Sequence, residues 1–440
     1  MCQLPKLIAV LTVLNVSAGG MTAPSFAEFD QRAKAGERLN VVFFGASLTW
    51  GANATDPQMT SYRARIAQRM EAAYPQAHFT FHDAAIGGTG SQLGVFRLDR
   101  DVLSHEPDLV FLDFSANDGI TTATPGTLAS YESLMRRIIT DAHAPLVQMI
   151  FPFGGDVQSA DFAKMHRRTA HHALSKAYNT PVGDAIALAV ERVHSGATTL
   201  GNLWPNDWVH PGDAGYQLFA DAGWAAFQDG VKRQLVCTAP DTMLHAGTYM
   251  NNARVRISSL GELPAGWRRG APNLISAFYD MLMSRWLDDV VIASNRMETI
   301  NADGKTSIVS REIARLTVKF RGTMVMLFGE GTMKSAKYRV YIDGKPATGM
   351  APGGFDSASL SSRANGNTHH TQIIAENLDS NTDHTLEIEL ILSPDLEQEL
   401  RLESICVAGG DAKVFPIQSN VSSPADSRPQ DTLRPADAPL

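Results

Sequence analysis

Between about Leu39 and Gln234 short apolar runs alternate with longer amphipathic stretches, and this alternation limits the fold more than any other feature. The runs are Asn40–Gly45, Phe79–Asp83, Asp108–Phe114, Pro145–Phe151 and Pro181–Ala185. Most are rich in β-branched or aromatic residues and all are short, as strands buried on both faces of a parallel sheet tend to be. Between them, Ser61–Ala73, Gln92–Ser104, Thr127–Ala142, Ala160–Tyr178 and Asp213–Phe227 read as helices, being rich in Ala, Leu and Arg and free of Pro. Strands separated by helices form βαβ units, so an α/β sheet covered on both faces is expected. Such sheets place ligands at the carboxyl ends of their strands.

The pattern changes after Cys237. A Gly-, Pro- and Asn-rich stretch reaches to about Leu274, and alternating runs follow at Ile313–Phe320, Thr323–Phe328, Tyr338–Ile342, Thr371–Ile374, Thr385–Ile391 and Leu400–Val407. These read as antiparallel strands of a jelly-roll-like β-sandwich, with an Asp343-Gly344 hairpin turn and a short helix near Leu274–Trp286. A chain of 440 residues exceeds one ordinary domain. The expected division is an α/β unit over 36–236, a connecting region over 237–274, a sandwich over 275–410 and a disordered tail over 411–440. The tail is dominated by Pro, Ser, Asp and Gln.

A net charge of −8 argues against nucleic acid as a partner, since phosphate binding needs clustered Lys and Arg. No apolar run is long enough to span a membrane. Residues 1–20 admit two readings: an export signal with Lys6, the apolar Leu7–Leu14 and a Val16-Ser17-Ala18 cleavage site, or a start at Met21. The first implies a periplasmic or secreted protein and the second a cytoplasmic one. Cys237 and Cys406 would pair if the protein is exported, or stay as buried free thiols.

Four polar segments carry chemistry. The first strand runs into Gly45-Ala46-Ser47, which puts a hydroxyl at its carboxyl end. Gly87-Gly88-Thr89-Gly90 follows the second strand and offers unobstructed backbone N–H groups. Ser115-Ala116-Asn117-Asp118 follows the third. In Asp207-Trp208-Val209-His210 a carboxylate three residues before a histidine can accept one ring N–H and leave the other nitrogen free as a base. Each segment alone also reads as a cap or a turn. Three at strand ends of one sheet and a fourth before its last helix point to one site.

In this order the four segments resemble the blocks of the SGNH (GDSL-like) hydrolase superfamily: Gly-Asp-Ser, a glycine loop, Gly-x-Asn-Asp and Asp-x-x-His. The resemblance covers Leu39 to Phe227 and implies a three-layer α/β/α, flavodoxin-like fold. It also implies Ser47 as nucleophile, His210 as base and Asp207 as its orienting carboxylate. The Ser47 and Gly88 N–H groups with the Asn117 amide would form the oxyanion hole. Two positions depart from the family: Ala46 replaces an Asp and Ser115 a Gly, and neither performs bond chemistry. With a sandwich appended, the chain is similar to bacterial carbohydrate esterases, which implies an O-acetylated glycan as substrate and no cofactor or metal. A general short-chain or lipid esterase and a non-catalytic glycan-binding protein are the alternatives. Trp50, Trp204 and Trp208 would stack on sugar rings if exposed, or else pack in the core. His166, His171 and His172 do not share a metal-binding helix face, and His369-His370 carries no readable chemistry.

Overall fold

A computed structural model describes residues 24–273, 287–300, 306–310, 312–358 and 367–417. The expected export signal at 1–20 and the helix near Leu274–Trp286 lie outside the described residues. Of the tail expected to be disordered over 411–440, residues 411–417 instead pack on the second unit, Lys413 and Val414 pairing with Arg321 and Phe320, and the remainder lies outside the described residues.

Five strands, β1 (Arg38–Gly45), β2 (His78–Ala85), β3 (Leu109–Leu112), β4 (Leu146–Ile150) and β5 (Val182–Asp184), form one parallel sheet in the order β2-β1-β3-β4-β5. β1 is central to the site, with Phe44 opposite Ala84 of β2 and Leu112 of β3. Its residues Val41, Val42, Phe43 and Phe44 are all at most 1% exposed, as layers on both faces require. Those layers are α1 (Phe26–Lys34), α2 (Ser47–Trp50), α3 (Tyr62–Ala73), α4 (Ser91–Asp101), α5 (Pro125–Thr140), α6 (Gly154–Gln158), α7 (His166–Tyr178), α8 (Ala185–His194), α9 (Leu200–Leu203) and α10 (Asp213–Lys232).

Local chemistry sets several helix starts. Thr124 caps α5 by accepting from the Thr127 N–H, and Pro125 occupies the first turn, where a missing N–H costs nothing. Asp184 caps α8 through the Ala187 N–H. α1 precedes the expected domain start. Ser25 caps it, and Phe26 and Phe29 pack on Phe227 of α10 at 6.2 and 5.7 Å between ring centroids.

The second unit begins earlier than its sequence pattern suggests. The stretch expected to connect the two units contributes β6 (Asn252–Arg256), paired with a strand far along the chain, and β7 (Trp267–Gly270), paired with the next strand in sequence. These join β8 (Val290–Ser294), β9 (Arg296–Ile300), β10 (Thr306–Ser310), β11 (Leu316–Arg321), β12 (Met324–Thr332), β13 (Lys337–Ile342), β14 (Lys345–Pro346), β15 (Phe355–Asp356), β16 (Asn367–Ala375), β17 (His384–Ile391), β18 (Glu399–Ala408) and β19 (Lys413–Val414). One antiparallel sheet runs β16-β12-β18-β8-β7 with β6 on β18. A second runs β14-β13-β17-β11-β19 with β15 on β13, and β9 pairs with β10 in a separate two-stranded sheet. The Asp343-Gly344 turn joins β13 to β14, both residues taking positive φ (52° and 75°) as a type I′ hairpin requires.

The β11 strand alternates buried and exposed residues, whereas β12 is buried throughout. The difference follows from position. Val325 and Leu327 face the sandwich core, while Met324, Met326 and Phe328 join the apolar cluster of the α/β unit. Cys406 and Ala408 of β18 do the same, so the two units share a continuous apolar contact. Cys237 and Cys406 are separate buried free thiols, both pushed up to about 12 by burial. No helix among the described residues is long and apolar enough to cross a membrane.

The turn out of β1 tolerates no side chain at Gly45. A Cβ there would lie 2.2 Å from Thr49 Oγ1 and 2.6 Å from the Asp113 carbonyl oxygen. Gly45→Ala should cost about 1–3 kcal/mol through overpacking. Thermal unfolding should show the midpoint falling by several degrees; an unchanged midpoint would contradict this packing.

Candidate active site

Ser47 opens α2 directly beyond β1 and is 4% exposed. Its Oγ lies 3.0 Å from Nε2 of His210, which is 3% exposed. The Asp207 Oδ2 atom stands 3.6 Å from His210 Nδ1, within ion-pair range but long for a hydrogen bond. Catalytic hydrogen bonds are often loose before substrate binds. The carboxylate is fixed from elsewhere: its Oδ1 accepts from the N–H groups of Val209 and His210, both at 2.7 Å. Its Oδ2 accepts from the Asn53 amide at 2.7 Å.

These contacts set the charges. Burial pushes Asp207 upward, but the His210, Val209 and Asn53 donors outweigh it and hold the carboxyl below its ordinary range. Burial lowers His210 below the ordinary histidine value of 6.5, with the Asp207 charge acting in the opposite direction. At neutral pH the pair is therefore a carboxylate and a neutral imidazole, the protonation a general base needs.

Gly88 and Asn117 lie on the loops after β2 and β3, the two strands that flank β1, so three loops issue from one edge of the sheet. Both residues are exposed. Gly88 has φ +73°, a left-handed conformation that favours glycine. The loops are tied together by Asp118, whose Oδ1 accepts from the Ser91 N–H at 3.0 Å and whose Oδ2 accepts from the Ser91 hydroxyl at 2.5 Å. Burial pushes Asp118 up to about 6, against the opposing Arg167 charge and the Ser91 donors. Arg167, fully buried on α7, also donates to the Gly119 carbonyl at 3.0 Å and to Thr127 Oγ1 at 2.6 Å.

A second buried arginine braces the strand ends. Arg97 of α4 donates to the carbonyls of Gly45 and Ala84, both at 2.7 Å. It also stacks 4.5 Å over the Phe44 ring and pairs with Asp101 at 3.0 Å. The loop after α2 is held to the histidine loop through Asp213, which accepts from the Thr55 N–H at 2.9 Å and the Thr60 hydroxyl at 2.8 Å. Asn53, Arg97, Asp118 and Arg167 were not legible as site residues. Asn53 sits in a polar turn, and an arginine within an amphipathic stretch reads as solvated.

The tryptophans divide. Trp50 is 9% exposed in a small cluster with Ala52 and Ala85, and Trp204 is 6% exposed, so both are packing residues and no sugar platform. Trp208 is 51% exposed between Asp207 and His210. Its carbonyl accepts from the Gly154 N–H at 2.7 Å, and its ring lies so close to Gly154 that a Cβ there would sit 2.4 Å away. The histidines of α7 take separate places: His171 stacks on Tyr131 at 4.0 Å, and His172 lies 3.0 Å from Asp184.

Residues 43–218 match the GDSL-like Lipase/Acylhydrolase family. The matched stretch spans most of the α/β unit. The chain is similar to a two-domain esterase (CEX) active on acetylated mannans, co-crystallized with mannopentaose, with a TM-score of 0.68 and 23% identity over 88% of this chain and 95% of that one. A second structure of a two-domain esterase (CEX) active on acetylated mannans gives 0.66 and 23% over the same shares. At this identity the likeness shows the fold: a parallel α/β unit followed by antiparallel sheets. No curated protein matches by sequence. Family and constellation together mark an ester-hydrolysing enzyme.

The His210 environment predicts its pH dependence. Only the neutral imidazole is a base, so the acid limb of kcat/KM should have its midpoint below 6.5. Asp207→Asn removes the one influence that raises His210, so the limb should move further to acid while kcat falls, by about 10⁴ as in comparable triads. A pH profile on p-nitrophenyl acetate whose limb moved toward neutrality would contradict the assignment.

Proposed function

We propose that the enzyme removes acetyl groups from O-acetylated polysaccharide through an acyl-enzyme on Ser47. The observation that carries the chemistry is the 3.0 Å approach of Ser47 Oγ to His210 Nε2. His210 takes the hydroxyl proton as Oγ attacks the acetyl carbonyl, and Asp207 stabilises the imidazolium that forms. The N–H groups of Ser47 and Gly88 and the Asn117 amide receive the charge on the carbonyl oxygen, each worth roughly 3–4 kcal/mol in comparable hydrolases. His210 then returns the proton to the departing sugar oxygen. Water, deprotonated by the same imidazole, hydrolyses the acetyl-serine.

Two observations support a carbohydrate. Trp208 presents an exposed aromatic face next to the base. The similar two-domain esterase is active on acetylated mannans. An extracellular or periplasmic setting fits such a polymer and accords with reading residues 1–20 as an export signal.

Incubation with a panel of acetylated mannans, xylans and pectins should release acetate from at least one, and Ser47→Ala should abolish release while leaving the circular dichroism spectrum unchanged. Release at wild-type rate by Ser47→Ala would end the proposal. Activity extending undiminished to long acyl chains would favour a general esterase instead. Trp208→Ala should raise KM on the polysaccharide about three- to tenfold and leave p-nitrophenyl acetate hydrolysis nearly unchanged. Equal losses on both substrates would remove Trp208 from the sugar site.

A further inference from the structure

His369 belongs to the sandwich, yet its ring reaches the glycine loop of the α/β unit. It lies on β16 opposite Glu330 of β12, in the sheet whose outer face packs on the α/β unit through Met324, Met326 and Phe328. A Cβ built on Gly88 would lie 3.4 Å from His369 Cε1 and 3.8 Å from Nε2, and no other group beyond its chain neighbours would come within 4 Å. The ring thus faces, across the space a side chain would fill, a loop residue that is exposed and left-handed.

The rest of that loop is fastened from within the α/β unit. Thr89 Oγ1 donates to the Ile86 carbonyl at 2.7 Å, and Ser91 is held by Asp118. Among the described residues, the His369 imidazole is the group that a Cβ on Gly88 would meet. The histidine itself carries an unmet demand: Nδ1 is buried and has no hydrogen-bond partner among the described residues. An orphaned buried nitrogen is destabilising, a cost that an apolar side chain would avoid. Burial pushes His369 down to about 4, with His370 and Arg97 acting in the same direction, so the ring is neutral at neutral pH.

We infer that His369 is a positioning residue of the esterase site, holding Gly88 where its N–H meets the developing oxyanion, so that the β-sandwich completes the catalytic apparatus. This rests on the reading of Gly88 as an oxyanion donor in the proposed acyl-enzyme mechanism. A donor displaced by a fraction of an ångström loses stabilisation that exists only in the transition state. Its loss therefore lowers kcat and leaves KM in place.

The test uses the full chain with His369→Ala, which removes the ring, and His369→Phe, which keeps one of similar size. Asn117→Ala serves as the reference for a lost donor. Each is assayed on p-nitrophenyl acetate and titrated with an alkyl boronic acid, whose tetrahedral serine adduct mimics the oxyanion; thermal midpoints check folding. His369→Ala should lower kcat about ten- to hundredfold with KM little changed, and weaken boronate binding by the same factor. His369→Phe should recover most of both.

Full activity in His369→Ala overturns the proposal, as does a loss of kcat with boronate affinity intact. A Phe variant as impaired as the Ala variant overturns it too, since the ring would not act by packing. If boronate binding weakens in Asn117→Ala and not in His369→Ala, the oxyanion site stands and the His369 role falls. If the wild-type protein binds no boronate, the serine mechanism itself fails and takes this inference with it.

Discussion

The hydrogen bond between Ser47 and His210 joins positions 163 residues apart, and its geometry depends on where two loops leave the α/β unit. Ser47 is fixed by β1, buried on both faces and ending at a glycine where a side chain would crowd Thr49 and the Asp113 carbonyl. His210 is fixed by the start of α10, where Asp213 binds Thr55 and Thr60 in the loop that leads away from Ser47. Both partners are thus tied to the same short stretch of chain. On the proposed reading of Ser47 as nucleophile and His210 as base, a pair held this way needs little rearrangement before reaction, which is the basis of preorganised catalysis.

Buried charge supports this arrangement. Arg97 gathers the carbonyls at the ends of β1 and β2, and Arg167 faces Asp118, which links the second and third loops. Removing one partner of such a pair strands a charge in a medium that solvates it poorly. Asp113, behind the third strand, is pushed up to about 7 by burial, moderated by its hydrogen bonds from Ser115. Ser115, the departure from the family's glycine, uses its hydroxyl to hold Asp113 at 2.8 Å and to accept the Phe151 N–H at 2.8 Å. It stitches β3 to β4 at the edge of the site.

Much of this was legible from residue pattern. Five apolar runs became the five parallel strands, because burial on both faces leaves a plain apolar signature. Ser47, Asp207 and His210 were each ambiguous alone; their order with the glycine loop and the Asn-Asp segment, and its resemblance to the SGNH blocks, singled them out. The edges were less visible. β6 and β7 lay hidden in a stretch rich in Gly and Pro: β6 pairs with β18, far along the chain, and β7 has only four residues, too few to show an alternation. α1 precedes the periodic region and owes its place to Phe26 and Phe29 packing on α10. Trp50 and Trp208 look alike in sequence, and tertiary packing alone decides that one is buried and the other open. His369 gave no local signal at all, since its relevance arises from a position facing Gly88 that only folding creates.

The central claim is that Ser47 is activated by His210, and covalent labelling reads it most directly. A fluorophosphonate probe reacts with a serine only when that hydroxyl has been made nucleophilic. Peptide mass mapping of the labelled protein should place one adduct on Ser47, and His210→Ala should abolish it in a chain that remains folded. An adduct on another serine, or labelling of Ser47 that proceeds unchanged without His210, would contradict the account.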